Sequence, residues 1–353
     1  MIEVVDTCNV SCKVCYRKLV GNTRSVEHIE RDLNDAIRLR QLHTVTISGG
    51  EPTLHPDLCT VVRMIKAKGL HAFLLTNGLL IDHNYLARLR EAGLDSILFH
   101  VDLGQKRRDL PRHTTFDDVR KRLDELVDMA ASFDLDVSIS TILYDDGQER
   151  AISKYFLENK RATFLFLSKA VDCNTFFQQP REAQHVHDSM TTTSRLIEFF
   201  REEHNIEPFS YIPTTNGQES VWISYFIPII YSTKGYRTLL YQSTWIDAAM
   251  MRLLHTITGR YIHKTTQSKT MTSVRVFLNA LSHVNFFPAL SFWMESMKRG
   301  HELRHKTVVY DDGPYHSSNS AAQHCEYCPT AIVRDGKLKP CCTADFKPDT
   351  VSA

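Results

Sequence analysis

Apolar positions in the first half of the chain fall into short runs. IEVVD (2–6), HTVTIS (43–48), HAFLLT (71–76), SILFHVD (96–102), DVSISTILY (136–144) and TFLFLS (163–168) are rich in β-branched residues, as strands covered on both faces require. Between them the period lengthens to that of a helix in HIERDLNDAIRLRQL (28–42), DLCTVVRMIKAKG (57–69), NYLARLREAG (84–93) and TFDDVRKRLDELVDMAASF (115–133). Gly69 and Gly93 follow the last periodic residues of two of these helices, where a helix stops. Strands alternating with helices predict an α/β fold on a parallel sheet, either a partial barrel or a doubly wound layer.

From about residue 170 the rhythm changes. Residues 190–305 read as mostly helical and aromatic-rich, with weak boundaries, and YHSSNSAAQH (315–324) reads as a polar linker. Two cysteine pairs follow, CEYC (325–328) and CC (341–342). The expected organisation is a barrel domain over 1–170, a helical substrate region over 171–314 and a small Cys-rich extension over 315–353.

With 42 basic and 41 acidic residues in 353, no global pull toward nucleic acid or acidic lipid is implied. The first residues, MIEVVD, lack the basic start of a signal peptide, and the chain begins almost inside its first strand. The richest apolar stretch, VNFFPALSFWM (284–294), is about half of a membrane span. A cytoplasmic, reducing location is the expectation, and there nine cysteines read as metal ligands or redox groups before disulfides. Cys59, inside a predicted helix, reads as a buried, inert thiol.

Cys8, Cys12 and Cys15 stand at C-x3-C-x2-C spacing directly after the first strand. That puts three thiols on one loop at the strand's C-terminal end, the edge where active sites of parallel α/β folds lie. Cysteine thiolates hold iron–sulfur clusters, four for a closed cubane, so three ligands leave one iron open for a small molecule. A structural zinc knuckle is the competing reading. SGGEPTLHP (48–56) follows the second strand at the same edge; its glycines admit a ligand close to the backbone, Glu51 offers a charge-assisted acceptor, and Pro52 stiffens the turn.

CNVSCKVCY and GGEP together resemble the signature loops of radical S-adenosylmethionine enzymes, over about residues 2–170. The resemblance implies a partial (β/α)6 TIM-like barrel in which Cys8, Cys12 and Cys15 bind a [4Fe–4S] cluster. The cofactor S-adenosylmethionine then takes the fourth iron, and Tyr16 matches the aromatic residue beside the last cysteine. It places Gly49, Gly50, Glu51 and Pro52 at the methionine amino group. LLTNGLL (74–80) also resembles a family turn. Asp102, with His100 beside it, is the candidate for the ribose, and Ser138 and Ser140, which alternate on one face of a strand, for further cofactor contact.

IVRDGKLKP (332–340) reads as a hairpin about Asp335-Gly336 that returns Cys341 and Cys342 toward Cys325 and Cys328. Adjacent side chains in extended backbone face opposite ways, so three or four of these cysteines are expected to ligate, with His324 or Cys173 as substitutes. The stretch resembles the auxiliary-cluster hairpin of SPASM or twitch extensions, which implies a second [4Fe–4S] cluster; a closed zinc site is the alternative. The aromatic middle region suits either a plain packed core or an apolar pocket for a lipid or peptide substrate. Arg107 or Arg108 in GQKRRDLPRH (104–113), and Arg252 with Arg260, are candidates for a substrate anion.

The leading expectation is a radical enzyme that splits S-adenosylmethionine and removes hydrogen from an unactivated carbon. Its electrons would come from a donor such as flavodoxin or ferredoxin, and it would bind no nucleic acid. The alternative is a non-catalytic iron–sulfur electron-transfer or zinc-binding protein.

Overall fold

The computed structural model describes residues 1–15, 17, 19, 21–145, 147–170, 186–213, 220–241, 245–258, 269–282, 286–311, 331–334 and 336–340. The chain forms two compact units: Met1–Tyr144 with Ala170–Gln184 and Pro314–Ala353, and Asp145–Lys169 with His185–Gly313.

The first unit is a succession of strands and helices: β1 (Ile2–Val5), β2 (Ser11–Cys12), α1 (Val26–Leu39), β3 (Thr44–Gly49), α2 (Leu58–Ala67), β4 (His71–Thr76), α3 (His83–Glu91), β5 (Ser96–His100), β6 (Gln105–Lys106), α4 (Phe116–Ala131) and β7 (Asp136–Leu143). β1, β3, β4, β5 and β7 lie side by side in that order, all parallel, with Ile2 opposite Ile47, Leu74 opposite Ile97 and His100 opposite Ser140. Each of these strands answers an apolar run expected from the sequence. The helices start where their caps allow. Ser25 accepts from His28 N at 3.3 Å at the head of α1. Asp82 accepts from Tyr85 N at 2.7 Å at α3, and Thr115 and Asp118 form a reciprocal capping box at α4. Gly69 (φ +71°) and Gly93 (φ +98°) close α2 and α3 in the left-handed region, as the sequence requires. Ile29 and Leu33 of α1, Val61 and Ile65 of α2, and Leu123 and Leu126 of α4 are buried, so the helices present one apolar stripe each.

The second unit contains α5 (Gln148–Glu158), β8 (Ala162–Lys169), α6 (Val186–His204), β9 (Ser210–Pro213), β10 (Ser220–Ser232), β11 (Gly235–Thr238), α7 (Trp245–Thr258), α8 (Lys269–Ser282), α9 (Phe286–Ser296) and β12 (Glu302–Asp311). β8 pairs parallel with β12, and β10 runs antiparallel to β9, β11 and β12. Here the sequence reading needs correction. SVWISYFIPIIY, placed in a mostly helical region, is a 13-residue strand whose register runs from Trp222 opposite Asp311 to Tyr231 opposite Glu302. Its β-branched and aromatic residues, and the STKG turn with Gly235 at φ +120°, carried the strand signal.

β13 (Ala331–Arg334) and β14 (Lys337–Pro340) close the list as an antiparallel hairpin of the first unit, with Arg334 opposite Lys337 and Gly336 at φ +68°. This is the expected Asp-Gly hairpin. It is fastened beside β1: Met1 N donates to Ala331 O at 2.8 Å, and Arg334 pairs with the fully buried Glu3, as Arg17 also does.

Candidate functional site

The loop after β1 is held by the tips of three neighbouring strands. From β3, Gly50 N donates to Val5 O and Glu51 N to Thr7 O, both at 2.8 Å. From β4, Asn77 Nδ2 lies 2.8 Å from Asn9 Oδ1 and 3.9 Å from Cys8 Sγ. From β5, Lys13 N donates to Gly104 O at 2.8 Å, and β2 pairs with β6 so that Cys12 stands opposite Gln105. The approach at β3 leaves no room for a side chain. A Cβ on Gly49, which sits at φ +148°, would lie 2.2 Å from Val5 O, and one on Gly50 would lie 2.2 Å from Thr7 O.

Cys8, Cys12 and Cys15 are partly exposed thiols, none of them in a disulfide. Burial pushes the Cys8 thiol up, with Glu51 and Cys15 adding against the opposing backbone of Val10. Cys12 is pushed up to about 12, by burial first and then by the charges of Asp102, Cys15 and Cys8. Burial raises Cys15 as well. Three thiolates at this edge therefore repel one another and need positive charge to persist. Among the described residues no trio of His, Cys, Asp or Glu is arranged around a single metal ion. A cubane takes cysteine thiolates on different irons, and three cysteines on one loop are donors of that chemistry.

Glu51 is 1% exposed and both its oxygens are engaged. Oε1 accepts from Thr53 N (3.0 Å), Thr53 Oγ1 (2.6 Å) and Thr76 Oγ1 (2.6 Å), and Oε2 accepts from Asn77 N (2.7 Å). The carboxylate thus caps the short 3-10 turn Pro52–Leu54 and ties the tip of β3 to that of β4. Burial nevertheless leaves its pKa raised against those four hydrogen bonds.

At β5 and β7 the remaining candidates meet. Asp102 is buried; its Oδ1 accepts from Gly104 N at 2.7 Å, and His100 Nε2 lies 3.0 Å from its Oδ2. His100 Nδ1 is 3.2 Å from Ser140 Oγ, and Ser138 and Ser140 are buried on one face of β7. Three neighbours escaped the sequence reading. Gln105 hydrogen-bonds Cys12, Asn77 touches Cys8, and Tyr144 packs on Gly104 with its phenol raised by burial, Asp102 and Cys12. Only the Asn-Gly turn carried a prior signal.

Arg107 is not available to a substrate anion. Its guanidinium is buried, donating to Asn77 O (2.8 Å), Gln105 Oε1 (3.1 Å) and both oxygens of Asp109 (2.9 and 2.8 Å). Arg108 and Arg252 are exposed. Cys59 lies in α2 as expected but is partly exposed, not buried, because the inward stripe of that helix is Leu58, Val61, Val62 and Ile65. Tyr16, Cys173, Arg260, His324, Cys325, Cys328, Cys341 and Cys342 lie outside the described residues.

Residues 2–149 match the family model of the radical SAM superfamily. This segment is a radical SAM domain. The chain is 31% identical over 148 residues to a GTP 3',8-cyclase of Chlorobaculum tepidum, covering 40% of this chain and 44% of that protein. It is 27% identical over 168 residues to a 7,8-dihydro-6-hydroxymethylpterin dimethyltransferase of Methanocaldococcus jannaschii, covering 45% of this chain and 33% of that protein. Among solved structures, Streptococcus suis SuiB bound to its precursor peptide SuiA aligns at a TM-score of 0.44 and 18% identity, over 57% of this chain and 46% of that one. The chain thus spans a quarter to about half of the length of the curated relatives it matches, and the family-model match takes in the Cys loop and the GGEP turn.

Proposed function

We propose that the protein is a radical SAM enzyme, built on a partial (β/α)6 barrel, that acts on an unactivated C–H bond of an apolar lipid or peptide substrate. The observation that carries this reading is the convergence of Cys8, Cys12 and Cys15 on one loop clasped by the GGEP strand tip. When bound, a [4Fe–4S] cluster supplies the electron that splits S-adenosylmethionine into methionine and a 5′-deoxyadenosyl radical able to abstract hydrogen.

The chain's own residues bind, position and shield. Cys8, Cys12 and Cys15 ligate the cluster. Gly49 and Gly50 bring backbone to the cofactor's methionine end without steric obstruction. Glu51 holds the tips of β3 and β4 in register, and Pro52 fixes the turn that follows. Asp102, oriented by His100 and Gly104, takes the ribose hydroxyls, with Ser138 and Ser140 behind it. In the extension, Cys325 and Cys328 with Cys341 or Cys342 are assigned to an auxiliary [4Fe–4S] cluster reached by the β13–β14 hairpin, and a flavodoxin or ferredoxin is the assigned electron source.

Anaerobically reconstituted protein is expected to form 5′-deoxyadenosine from S-adenosylmethionine with dithionite, and Cys12→Ala is expected to abolish it. Undiminished cleavage by that variant, or no saturable binding of S-adenosylmethionine by the native protein, overturns the assignment. About eight irons per chain supports the auxiliary cluster and about four refutes it.

A further inference from the structure

The helical layer of the second unit carries apolar residues on its outer side as well as on its inner one. α8 packs with α7 on one side and α9 on the other, and α8 and α9 lie against β12 and β10. The buried side of α8 is mixed, with Val276 in a core cluster beside Ile230, Phe292 and Leu303, and with three polar residues. Arg275 sits 4.0 Å over the Phe226 ring, Thr272 Oγ1 is 2.9 Å from His305 Nδ1, and Asn279 Nδ2 donates to Asp247 Oδ2 at 3.1 Å. Its exposed side carries Val274, Phe277 and Leu281 at i, i+3, i+7. Exposed apolar residues recur on both neighbours. On α7, Trp245 (76% exposed), Leu253 and Ile257 (71%) recur at multiples of four, and on α9 Phe287 (79%) and Met294 are a heptad apart. A globular helix turns its apolar stripe inward; α8 and α9 do so with Val276, Ala280, Ala289 and Phe292, and all three helices present further apolar residues outward.

The face is broad. Helices of 14, 14 and 11 residues are about 21, 21 and 16 Å long, and neighbours at about 9 Å spacing make a layer roughly 20 Å square. That is at the size where an exposed apolar patch marks a binding surface.

Charge says what covers it. Residues 245–300 hold seven Lys and Arg against two Asp and Glu, in a chain whose net charge is +1. Both acids are already taken: Asp247 by Tyr241 and Asn279, Glu295 by Arg237. Arg252, Lys298 and Arg299 stand exposed beside the apolar stripes. Outward Trp, Phe and Leu with uncompensated cations is the composition of helices that lie in a membrane interface. No helix among the described residues is long and apolar enough to cross a membrane. We propose that the α7–α8–α9 face docks in the plane of an anionic lipid bilayer. The inference goes beyond the radical chemistry and does not depend on the cluster.

The test is co-sedimentation of the full chain with vesicles of phosphatidylcholine alone and of phosphatidylcholine with about a third phosphatidylglycerol. The protein is expected to bind the anionic vesicles, and Leu253→Glu/Phe277→Glu/Phe287→Glu to lower the bound fraction about tenfold. Arg252→Glu/Lys298→Glu, which leaves the apolar stripes intact, is expected to weaken binding severalfold and to remove its dependence on salt. Equal binding by both variants and the native chain overturns the proposal. So does absence of binding to either vesicle. Absence of binding together with a dimer that dissociates in the triple variant overturns it in favour of a second copy on this face.

Discussion

The most exacting test of the clasp is Gly50→Ala. The new Cβ would stand 2.2 Å from Thr7 O, 2.6 Å from Thr7 C and 3.1 Å from Thr7 N. A carbon rests about 3.3 Å or more from a carbonyl oxygen, so the tip of β3 and the Cys loop must separate by about 1 Å. The obstructing atoms are backbone, which no rotamer change can move aside. Opening by that amount breaks the Gly50 N–Val5 O and Glu51 N–Thr7 O hydrogen bonds, now 2.8 Å each. Each is worth about 1 kcal/mol, and more where the donor stays buried without a partner. The expected loss is therefore about 2–4 kcal/mol, a large share of the roughly 5–15 kcal/mol that holds a typical protein folded. Because Cys8 follows Thr7 directly, iron retained after anaerobic reconstitution should fall with it. Urea denaturation followed by circular dichroism measures the first effect and iron per chain the second. If the alanine variant keeps its midpoint within about 0.5 kcal/mol of the native protein and retains full iron, the close approach is not what fixes the loop.

Three further outcomes are expected. In metal-free protein, Cys12, raised from an ordinary 9.0 to about 12, should alkylate with iodoacetamide about a thousandfold more slowly at pH 8 than an ordinary thiol; peptide mapping that finds it modified at the same rate as Cys59 contradicts this. Arg107→Ala should cost about 2–3 kcal/mol, since it leaves the carbonyl of Asn77 without its donor and Asp109 with Arg122 as its remaining partner, whereas Arg108→Ala, at an exposed position, should be neutral by thermal melting. Lys306 is fully buried, donating to Asn159 O and Ala162 O at 2.6 Å, and burial holds its pKa well below 10.5. A base whose folded pKa is depressed opposes folding below that value and ceases to as the pH approaches 10.5, where the unfolded chain is neutral too. Lys306→Met should therefore raise the melting temperature more at pH 6 than at pH 10, and an equal change at both would remove the electrostatic explanation.

What the sequence made legible were features whose cause is local. The strands of the first unit show as apolar runs because both faces are covered, and Gly69 and Gly93 mark helix ends because a left-handed residue must stand there. The Cys spacing and GGEP were equally plain. The rest depends on partners far apart in the chain. Glu51 looks like an open acceptor until Thr76 and Asn77, 25 and 26 residues on, close over it. Arg107 reads as a free cation in a basic loop, but Asp109, two residues later, folds back to take it together with Arg122. The β10–β11 hairpin was hidden by the length of its aromatic run, which strand and buried helix share.

The electrostatics of the Cys edge give the ligand question its direction. Cys8, Cys12 and Cys15 stand with Glu51 and Asp102 near enough for their charges to oppose one another's ionisation. The cations nearby are spent elsewhere, Arg107 on Asp109 and Lys13 over the Tyr144 ring at 5.5 Å. Folding alone therefore builds a concentration of acids and thiols without its counter-charge, held in place by backbone hydrogen bonds from the tips of β3 and β5. Such an edge selects for a ligand that brings positive charge with it. On the proposed reading iron would meet the thiols, and the sulfonium and ammonium of S-adenosylmethionine would meet the acidic side, so the pull would be strongest for both together. The coupling is testable without turnover: S-adenosylmethionine should bind the iron-loaded protein much more tightly than the metal-free one, and the cofactor analogue lacking the sulfonium charge, S-adenosylhomocysteine, should lose most of that preference. Equal affinity of the loaded protein for the two analogues would show that shape, not charge, makes the selection.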